Sequence, residues 1–374
     1  RERRDRFARR HGLGLDRVFD DWSGILRHDR LAPAVIIATG DDTHVEPALA
    51  FLRAGYHCLL EKPMALRLSE CEEIVTTAEK HERILQVGHV LRYTPFYSTL
   101  HRLVDEGRLG EVQTVSMAEH VAHWHFTHSY VRGKWRTTRS AAPLILAKCC
   151  HDLDLLCWLV GRRPVRVASF GERVHYREDR APEGAPPRCT DGCPAEPDCP
   201  HSAPRFYGRD TRLWPWTDVS RTPTVEARME ALRDGPYGRC VYRCDNDVVD
   251  RQSVQVEFEG GRLGTFLVDG FSSRPERTIR IQGTRAELRG AFEKGEIEIL
   301  DYGRVEAERI ETFASPLGHG GGDEALLDHF TGVAARDARG EVLASGRVAL
   351  ESHRLGFAAE QARSSGRIVE VDAV

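Results

Sequence analysis

The stretch Tyr56-His57-Cys58-Leu59-Leu60-Glu61-Lys62-Pro63 decides the fold, because it joins an apolar run to a charged tip. The run 56–60 is typical of a strand that is buried on both faces of a parallel sheet. Open sheets of this kind bind ligands just beyond the carboxyl ends of their strands. Lys62 is therefore predicted to lie where the sheet carries its chemistry.

The residues before this stretch complete a strand, helix, strand unit. Residues 34–39 form a second apolar run, and residues 43–54 have the pattern of a crossover helix that is closed by Gly55. The unit predicts a doubly wound α/β domain of the Rossmann type.

The same rhythm continues toward residue 110. Residues 69–72 read as a capping box that opens a helix to about residue 82, and residues 84–88 form the next strand. A helix over 95–106 follows, and two glycines end it. We place the domain boundary there, with an α/β domain over 1–110 and an α+β domain over 111–374.

Three motifs carry a resemblance to a known family. Glu61-Lys62-Pro63, Gly88-His89-Val90-Leu91-Arg92-Tyr93 and Cys150-His151-Asp152-Leu153-Asp154 follow one another at separations of about thirty and about sixty residues. In this order they resemble the glucose-fructose oxidoreductase, inositol dehydrogenase and MocA-like (Gfo/Idh/MocA) family over nearly the whole chain. The resemblance implies an NAD(P)-dependent oxidoreductase.

The sequence begins differently from a complete dinucleotide-binding domain. Such a domain opens with a strand, a Gly-x-Gly-x-x-Gly turn and a ribose-binding acid, whereas this sequence starts at Arg1 with a charged helix over 1–10. Two interpretations stay open. Either the sequence lacks one βα unit of about thirty-odd residues, which we favour, or the protein has lost its cofactor site.

Composition excludes several classes of protein. The chain has 374 residues, 41% of them hydrophobic and 29% charged, with a formal net charge of -4. It is long enough for two cored domains, and the charge offers no basic field for nucleic acid or a membrane surface. No run of about eighteen apolar residues is present. Cytoplasm is the default expectation, and the ten cysteines are then buried thiols, metal ligands or reactive groups.

Beyond residue 110 the pattern changes to long alternating strands. They are predicted over 111–121, 163–176, 253–259, 263–270 and 277–283. They predict a mostly antiparallel sheet with one face against helices and the other free to pair with a second subunit. A homo-oligomer, dimer or tetramer, is therefore expected. Helices over 323–335 and 344–363 close the chain.

The candidate catalytic residues are His151, Lys148 and Lys62. Oxidising a sugar alcohol requires a base for the hydroxyl proton, and histidine, with a reference pKa of about 6.5, suits that role. Lys62 would polarise the same oxygen and anchor the cofactor. The alternative is that His151 only caps its helix.

One position departs from the family pattern. Many members carry an acid one helical turn before the histidine, and here that position is Ala147, followed by Lys148. Either Lys148 grips an anionic or polyhydroxy substrate in place of the acid, or the chemistry differs.

The resemblance also implies ligand contacts, some of which have plainer explanations. The cofactor would contact residues at three strand ends: Thr39, His44, Glu61, Lys62, His89 and Arg92. A solvent-facing helix explains His44 equally well, and a surface salt bridge would explain Arg92. The substrate contacts are drawn from an aromatic and basic stretch, the catalytic helix and a glycine-rich segment: His128, Trp135, Arg136, Asp152, His319 and Asp323. Packing, or a flexible loop with a helix cap, would also explain them.

The insertion over 181–204 is rich in Pro, Gly and Cys. Cys189, Cys193 and Cys199 could bind a structural zinc ion, with His201, Cys240 or Cys244 as fourth ligand. Ordinary thiols, or a disulfide outside the cytoplasm, explain them equally well.

The resemblance implies hydride transfer between nicotinamide and a sugar, inositol or related polyol. Two alternatives stay open. One is an enzyme that retains NAD while it eliminates a glycosidic bond or epimerises a centre, and the other is a non-catalytic sugar sensor or scaffold. The substrate, the direction of the reaction and the choice between NAD and NADP are not predicted, since the residue that reads the ribose belongs to the segment before Arg1.

Overall fold

The computed structural model describes residues 2–313 and 318–373. Contacts between residues divide the chain into two compact units. The smaller unit comprises Arg1–Gly88 and Glu324–Leu350, and the larger comprises His89–Asp323 and Glu351–Val374. The domain division at residue 110, which concerns independently folding parts, stays a prediction.

The smaller unit contains a parallel sheet, as the strand, helix, strand pattern predicts. After helix α1 (Glu2–Arg10), the chain forms β1 (Ala34–Ile37), α2 (Val45–Arg53), β2 (His57–Leu60), α3 (Leu68–Lys80) and β3 (Leu85–Val87). The strands pair in parallel in the order β1-β2-β3. All four residues of β2 are buried, which explains its unbroken apolar run.

The start of α3 differs from the prediction. The helix begins at Leu68 rather than within the proposed capping box, and its N-cap residue Arg67 makes no side-chain capping bond. Burial of Leu68, Cys71 and Ile74 holds this turn in place.

The larger unit contains a nine-stranded sheet, interrupted and flanked by helices. Its elements up to residue 311 are α4 (Pro95–Asp105), β4 (Val112–Ala122), α5 (His123–Phe126), α6 (Thr138–Ala141), α7 (Leu144–Ala147), α8 (Cys150–Val160), β5 (Pro164–Glu172), α9 (Ala203–Tyr207), α10 (Trp216–Val219), α11 (Val225–Asp234), β6 (Arg251–Phe258), β7 (Arg262–Ser272), β8 (Glu276–Gly283), β9 (Ala286–Ala291), β10 (Glu296–Asp301) and β11 (Glu308–Glu311). A π-helical turn over Thr127–Arg132 follows α5.

Three further elements complete the described chain. They are α12 (Gly322–Arg336), α13 (Gly346–Ser365) and β12 (Val369–Glu370). The two helices pass from one compact unit to the other. Among the described residues, no helix combines the length and the apolar character that crossing a membrane requires.

The large sheet is mostly antiparallel, as predicted. Its strand order is β11-β10-β9-β8-β4-β7-β6-β5-β12. Among the described strands of this sheet, β4 and β7 pair in parallel, and the other neighbours pair antiparallel. Helix α8 packs on its inner face, where a Cβ on Gly264 would come within 3.1 Å of the Leu156 side chain. Glycine at this position therefore lets the helix that carries His151 approach the sheet.

Candidate functional site

The tip of β2 places two charged side chains just beyond the carboxyl end of the strand. Glu61 accepts a hydrogen bond from the backbone N–H of Lys62 at 3.3 Å, and the Lys62–Pro63 peptide is cis. The Glu61 carboxylate also lies 3.2 Å from the place that a Cβ on Gly88 would occupy. Glycine at the end of β3 therefore leaves room for this carboxylate.

His44 lies next to the same tip rather than on a solvent-facing helix. It is the N-cap residue of α2, its side chain is buried, and Nδ1 lies 2.9 Å from the carbonyl oxygen of Pro63. Nε2 is also buried and has no hydrogen-bond partner among the described residues. Thr39 stays exposed and donates to the Thr43 carbonyl. His44 is thus close to Lys62 in the fold, although eighteen positions separate them.

In the larger unit, His151 lies in the first turn of α8 within a group of histidine rings. Its ring centroid is 5.9 Å from that of His89 and 5.8 Å from that of His319, and His353 lies 5.7 Å beyond His89. His89, His151 and His353 are buried. The structure therefore brings together predicted site residues from three separate segments.

His319 has an unusual backbone for its residue type. Its φ of 47° is in the left-handed region, which costs a non-glycine residue of order 1 kcal/mol. Its Nδ1 lies 3.1 Å from a carboxylate oxygen of Asp323, in the first turn of α12. This conformation places the ring against His151.

Arg92 forms a buried ion pair. Its Nε donates to Asp154 at 2.6 Å and one Nη donates at 2.8 Å, while the guanidinium lies 4.8 Å from the Trp158 ring centroid. Burial alone would raise the pKa of Asp154, but Arg92 and His89 outweigh it and hold that pKa below its ordinary value. The pair joins the segment after β3 to α8 and is buried, so the surface salt bridge considered for Arg92 is wrong.

A second buried charge cluster surrounds Lys148 and Asp152. The Lys148 ammonium lies 2.9 Å from Glu119 of β4, and Arg277 Nε lies 2.6 Å from the other Glu119 oxygen and 3.0 Å from Asp152. Glu119 and Arg277 are opposite each other in the β4–β8 register. We call these four residues the charge quartet.

The charges of the quartet set one another's ionisation. Burial alone would raise the pKa of Glu119, but Arg277 and Lys148 outweigh it and hold that pKa below its ordinary value. Burial raises the pKa of Asp152, which Arg277 opposes and Glu119 reinforces.

Glu119, Arg277 and Asp154 were not among the predicted site residues. For Glu119 a signal exists in the sequence. It occupies an inward position of β4 in register with Val115, Met117 and Val121, and a charge on the apolar side of a strand needs a buried partner. The partner Arg277 follows only from strand pairing, which the sequence does not specify.

Three predicted substrate residues make contacts with the inserted segment or the surrounding chain. His128 stacks on Tyr237 with centroids 4.4 Å apart, and its Nδ1 lies 2.8 Å from the Tyr207 hydroxyl. Arg136 donates to Asp245 at 2.8 Å, and Trp135 lies under the Lys134 ammonium. These contacts do not place them with His151, and their role toward substrate stays a prediction.

The cysteine-rich insertion does not form the predicted zinc site. Cys189, Cys193, Cys199 and Cys240 line one cavity, yet the part of the chain that the structure describes contains no group of three or more His, Cys, Asp or Glu side chains arranged to hold a metal ion. Burial raises the pKa of Cys199 and of Cys240.

A buried arginine and a small apolar core organise this region instead. The Arg132 guanidinium donates to the carbonyl oxygens of Arg239 and His201 at 2.8 Å each, and lies 3.6 Å from the Cys189 sulfur. Next to it, Ala203, Tyr207 and Leu232 form a small buried cluster against which Cys189 of the insertion packs.

Comparisons with known proteins agree with this architecture. Residues 1–89 match the family model described as oxidoreductase family, NAD-binding Rossmann fold, and residues 101–371 match the model of its C-terminal alpha/beta domain. The protein YteT of Bacillus subtilis (strain 168), described only as an oxidoreductase, is 24% identical over 83% of this chain and 74% of its own length.

Two further similarities are to proteins whose names state a substrate. Inositol 2-dehydrogenase 2 of Saccharopolyspora erythraea is 31% identical, over 42% of this chain and 43% of its own length, so the alignment spans less than half of that relative. The structure of a levoglucosan dehydrogenase in complex with NADH and levoglucosan superposes with a TM-score of 0.73 and 17% identity, covering 99% of this chain and 87% of the other. The two family models together cover almost all of the sequence, and the chain belongs to the Gfo/Idh/MocA oxidoreductase family.

Proposed function

We propose that this protein is an NAD(P)-dependent oxidoreductase that transfers a hydride between nicotinamide and a sugar, inositol or related polyol. The observation that carries the proposal is the setting of His151, a buried histidine at the start of α8 with the rings of His89 and His319 beside it. Family membership and the inositol and levoglucosan dehydrogenases among the similar proteins support the same class of substrate.

The residues at the β2 tip fit the nicotinamide half of a cofactor. Lys62 supplies a cation, and buried His44 supplies an Nε2 without a partner among the described residues. A buried nitrogen of this kind is costly unless a ligand completes its hydrogen bonding. We assign His44 to cofactor binding on this ground, and we add Lys62, Glu61 and Thr39 because they follow the carboxyl ends of β1 and β2. Whether the cofactor is NAD or NADP is left open.

His151 acts as the general base in this proposal. Nicotinamide, when bound, accepts the hydride that leaves the substrate carbon. His151 takes the proton from the hydroxyl on that carbon, and its burial keeps bulk water from competing for the proton. Lys62 and Lys148 are the cations assigned to stabilise the oxygen as it loses its proton.

Substrate orientation is assigned to the polar groups around His151. His319 and Asp323 hold each other at 3.1 Å and present one imidazole next to the base. Asp152 contributes through the charge quartet. His128, Trp135 and Arg136 are proposed to bound a more distant part of the substrate, since their contacts are with Tyr207, Tyr237, Asp245 and Lys134 rather than with the residues around His151.

Nicotinamide binding and turnover test the proposal. The protein would be titrated with NAD(H) and NADP(H), following fluorescence and thermal shift, and then supplied with a panel of sugars and inositols. His151→Gln should leave nicotinamide affinity unchanged and lower turnover by about 10²- to 10⁴-fold. Lys62→Ala should weaken nicotinamide binding as well as lower turnover.

Exposed residues of the same types provide matched controls. His28→Gln and Lys80→Ala should leave both nicotinamide binding and turnover as in the wild type, because both side chains are exposed. Absence of nicotinamide binding would contradict the proposal and favour a sensor. Binding without net release of reduced nicotinamide, together with elimination or epimerisation of a sugar, would instead identify an enzyme that retains its cofactor.

A further inference from the structure

The charge quartet contains two cations and two anions at one place in the larger unit. Lys148 and Arg277 carry the positive charges, and Glu119 and Asp152 carry the negative ones when ionised. The Glu119 side chain is 4% exposed and the Lys148 side chain 14% exposed, so solvent screens the pair little. Glu119 contacts both cations, one with each carboxylate oxygen.

The contacts of Lys148 bear on whether it binds an anionic or a polyhydroxy substrate, which the sequence left open. Lys148 stands beside the position where many family members carry an acid, and an unmatched ammonium there would attract a carboxylate on the substrate. Here the ammonium is already 2.9 Å from a buried carboxylate. A second carboxylate brought to this place would lose its hydration and meet Glu119 and Asp152 as like charges.

We propose that Glu119 is a positioning residue that determines specificity: it holds the Lys148 ammonium in an ion pair, so that the site accepts neutral polyhydroxy sugars and discriminates against sugar acids. Lys148 keeps donors for a substrate hydroxyl, since an ammonium has three N–H groups and Glu119 Oε1 occupies one. Arg277, fixed opposite Glu119 by the pairing of β4 with β8, keeps the carboxylate oriented toward Lys148. The inference rests on the proposed function, because it assigns a substrate class to the same site.

The test uses pairs of sugars that differ only in one group. Equilibrium dissociation constants would be measured by calorimetry, with and without NAD(H) or NADP(H), for D-glucose against D-glucuronate, D-galactose against D-galacturonate and D-mannose against D-mannuronate. The wild type should bind the neutral member of at least one pair more tightly. Glu119→Gln keeps the side-chain shape and removes the charge, and it should shift that ratio toward the acid by at least about tenfold.

A double variant separates this effect from a loss of structure. Lys148→Gln in the Glu119→Gln background removes the ammonium that the first change leaves unmatched, and it should restore the wild-type ratio. Glu287→Gln is the matched control. Glu287 is also a buried glutamate that pairs with two arginines, Arg280 and Arg289, but it lies on β9 outside the quartet, so its loss should not change the ratio.

The outcomes distinguish this inference from the proposed function. Tighter binding of the acid by the wild type, or an unchanged ratio in folded Glu119→Gln, would overturn the inference and leave the oxidoreductase assignment standing. If Glu119→Gln does not fold, the wild-type ratio and the double variant decide. Binding of none of the six sugars would overturn this inference, whereas the proposed function falls only if the protein also fails to bind nicotinamide or to turn over any sugar or inositol of its panel.

Discussion

At the scale of single residues, α8 is notable for the two carboxylates that it carries into the interior. Asp154 and Asp152 lie two positions apart on α8, and each meets an arginine from a different element. A buried charge is tolerated only when its partner is in place. These ion pairs therefore fix the position of α8 and the charged groups near His151.

The pair between Arg92 and Asp154 should contribute strongly to stability. Asp154→Asn leaves the Arg92 guanidinium buried without its counter-charge, and we expect the free energy of unfolding to fall by about 3–5 kcal/mol. Urea unfolding followed by circular dichroism measures this. The control is Glu106→Gln, which breaks the exposed pair with Arg102 and should cost less than about 1 kcal/mol. Equal effects of the two changes would contradict the prediction.

Residue-level prediction from the sequence selects side chains where chemistry and position coincide, and the roles of those side chains stay predictions. His151 follows a recognisable motif, and the structure places His89 and His319 beside it. Arg92 was noticed because of its place after β3, but its partner is sixty-two positions away, and no periodicity predicts which acid an arginine will meet. For the same reason the contacts of Lys148 with Glu119 depend on the tertiary fold.

At the scale of elements, the predicted strands and helices agree with the structure where a single periodicity continues. β4, β7, β8, α12 and α13 lie within a few residues of their predicted bounds. The pattern did not predict β9, β10 and β11, whose short runs alternate with charged residues, nor the small helices α9, α10 and α11. Local packing around Tyr207 and Leu232 stabilises those helices, and such packing leaves little trace in periodicity.

The region around His128 should respond to acid. Burial is the main cause that lowers the pKa of His128 from 6.5 to about 4, although Asp218 acts in the opposite direction. Below pH 6.5 His128 of the unfolded chain therefore binds a proton, whereas His128 of the folded chain does not bind it until about pH 4. Stability is complete above pH 6.5 and falls as the pH drops toward 4, by up to about 3 kcal/mol.

Unfolding curves at several pH values measure this dependence. His128→Asn keeps a polar group near the Tyr207 hydroxyl and removes the titration, so its stability should depend less on pH over this window. Tryptophan fluorescence is a suitable signal, because Trp214 lies 5.5 Å from the His128 ring. Identical pH dependence in the two proteins would show that His128 does not titrate as described.

Two glycines in regular elements should respond to alanine in opposite ways. At Gly283, near the end of β8, a Cβ would lie 2.1 Å from the backbone oxygen of Leu109, and Gly283→Ala should destabilise the protein by more than about 1 kcal/mol. At Gly332, within α12, a Cβ would meet no atom within 4 Å other than its chain neighbours and the backbone of its own helix, and Gly332→Ala should stabilise by about 0.5–1 kcal/mol. Thermal unfolding of both variants measures the signs. A common sign would contradict the prediction.

At the scale of the whole molecule, the large sheet has an outer face with exposed apolar side chains. Phe170 of β5, Ser253 of β6 and Leu267 of β7 are paired in register, so they point to one side of the sheet. Phe170 is 75% exposed and Leu267 is 40% exposed. Contiguous exposed apolar residues of this kind mark interaction surfaces.

We predict that the protein is a homo-oligomer that uses this face. Phe170→Glu should shift it toward the monomer, because a charge placed in an apolar interface loses its hydration without a partner. Size-exclusion chromatography with light scattering measures the mass of each form. Val305→Glu is the control, since Val305 is 97% exposed in the turn between β10 and β11. A monomeric wild type would contradict the prediction.

One backbone hydrogen bond in the smaller unit joins two segments that the ribosome makes at widely separated times. At the outer edge of β3, the Val87 N–H donates a hydrogen bond to the Ala344 carbonyl. Ala344 belongs to a segment that the ribosome makes much later. At ordinary translation rates the interval is roughly ten to fifty seconds. During that time the nascent sheet presents an open edge to other chains. Chaperone supply and codon usage between these two positions should therefore govern the yield of soluble protein.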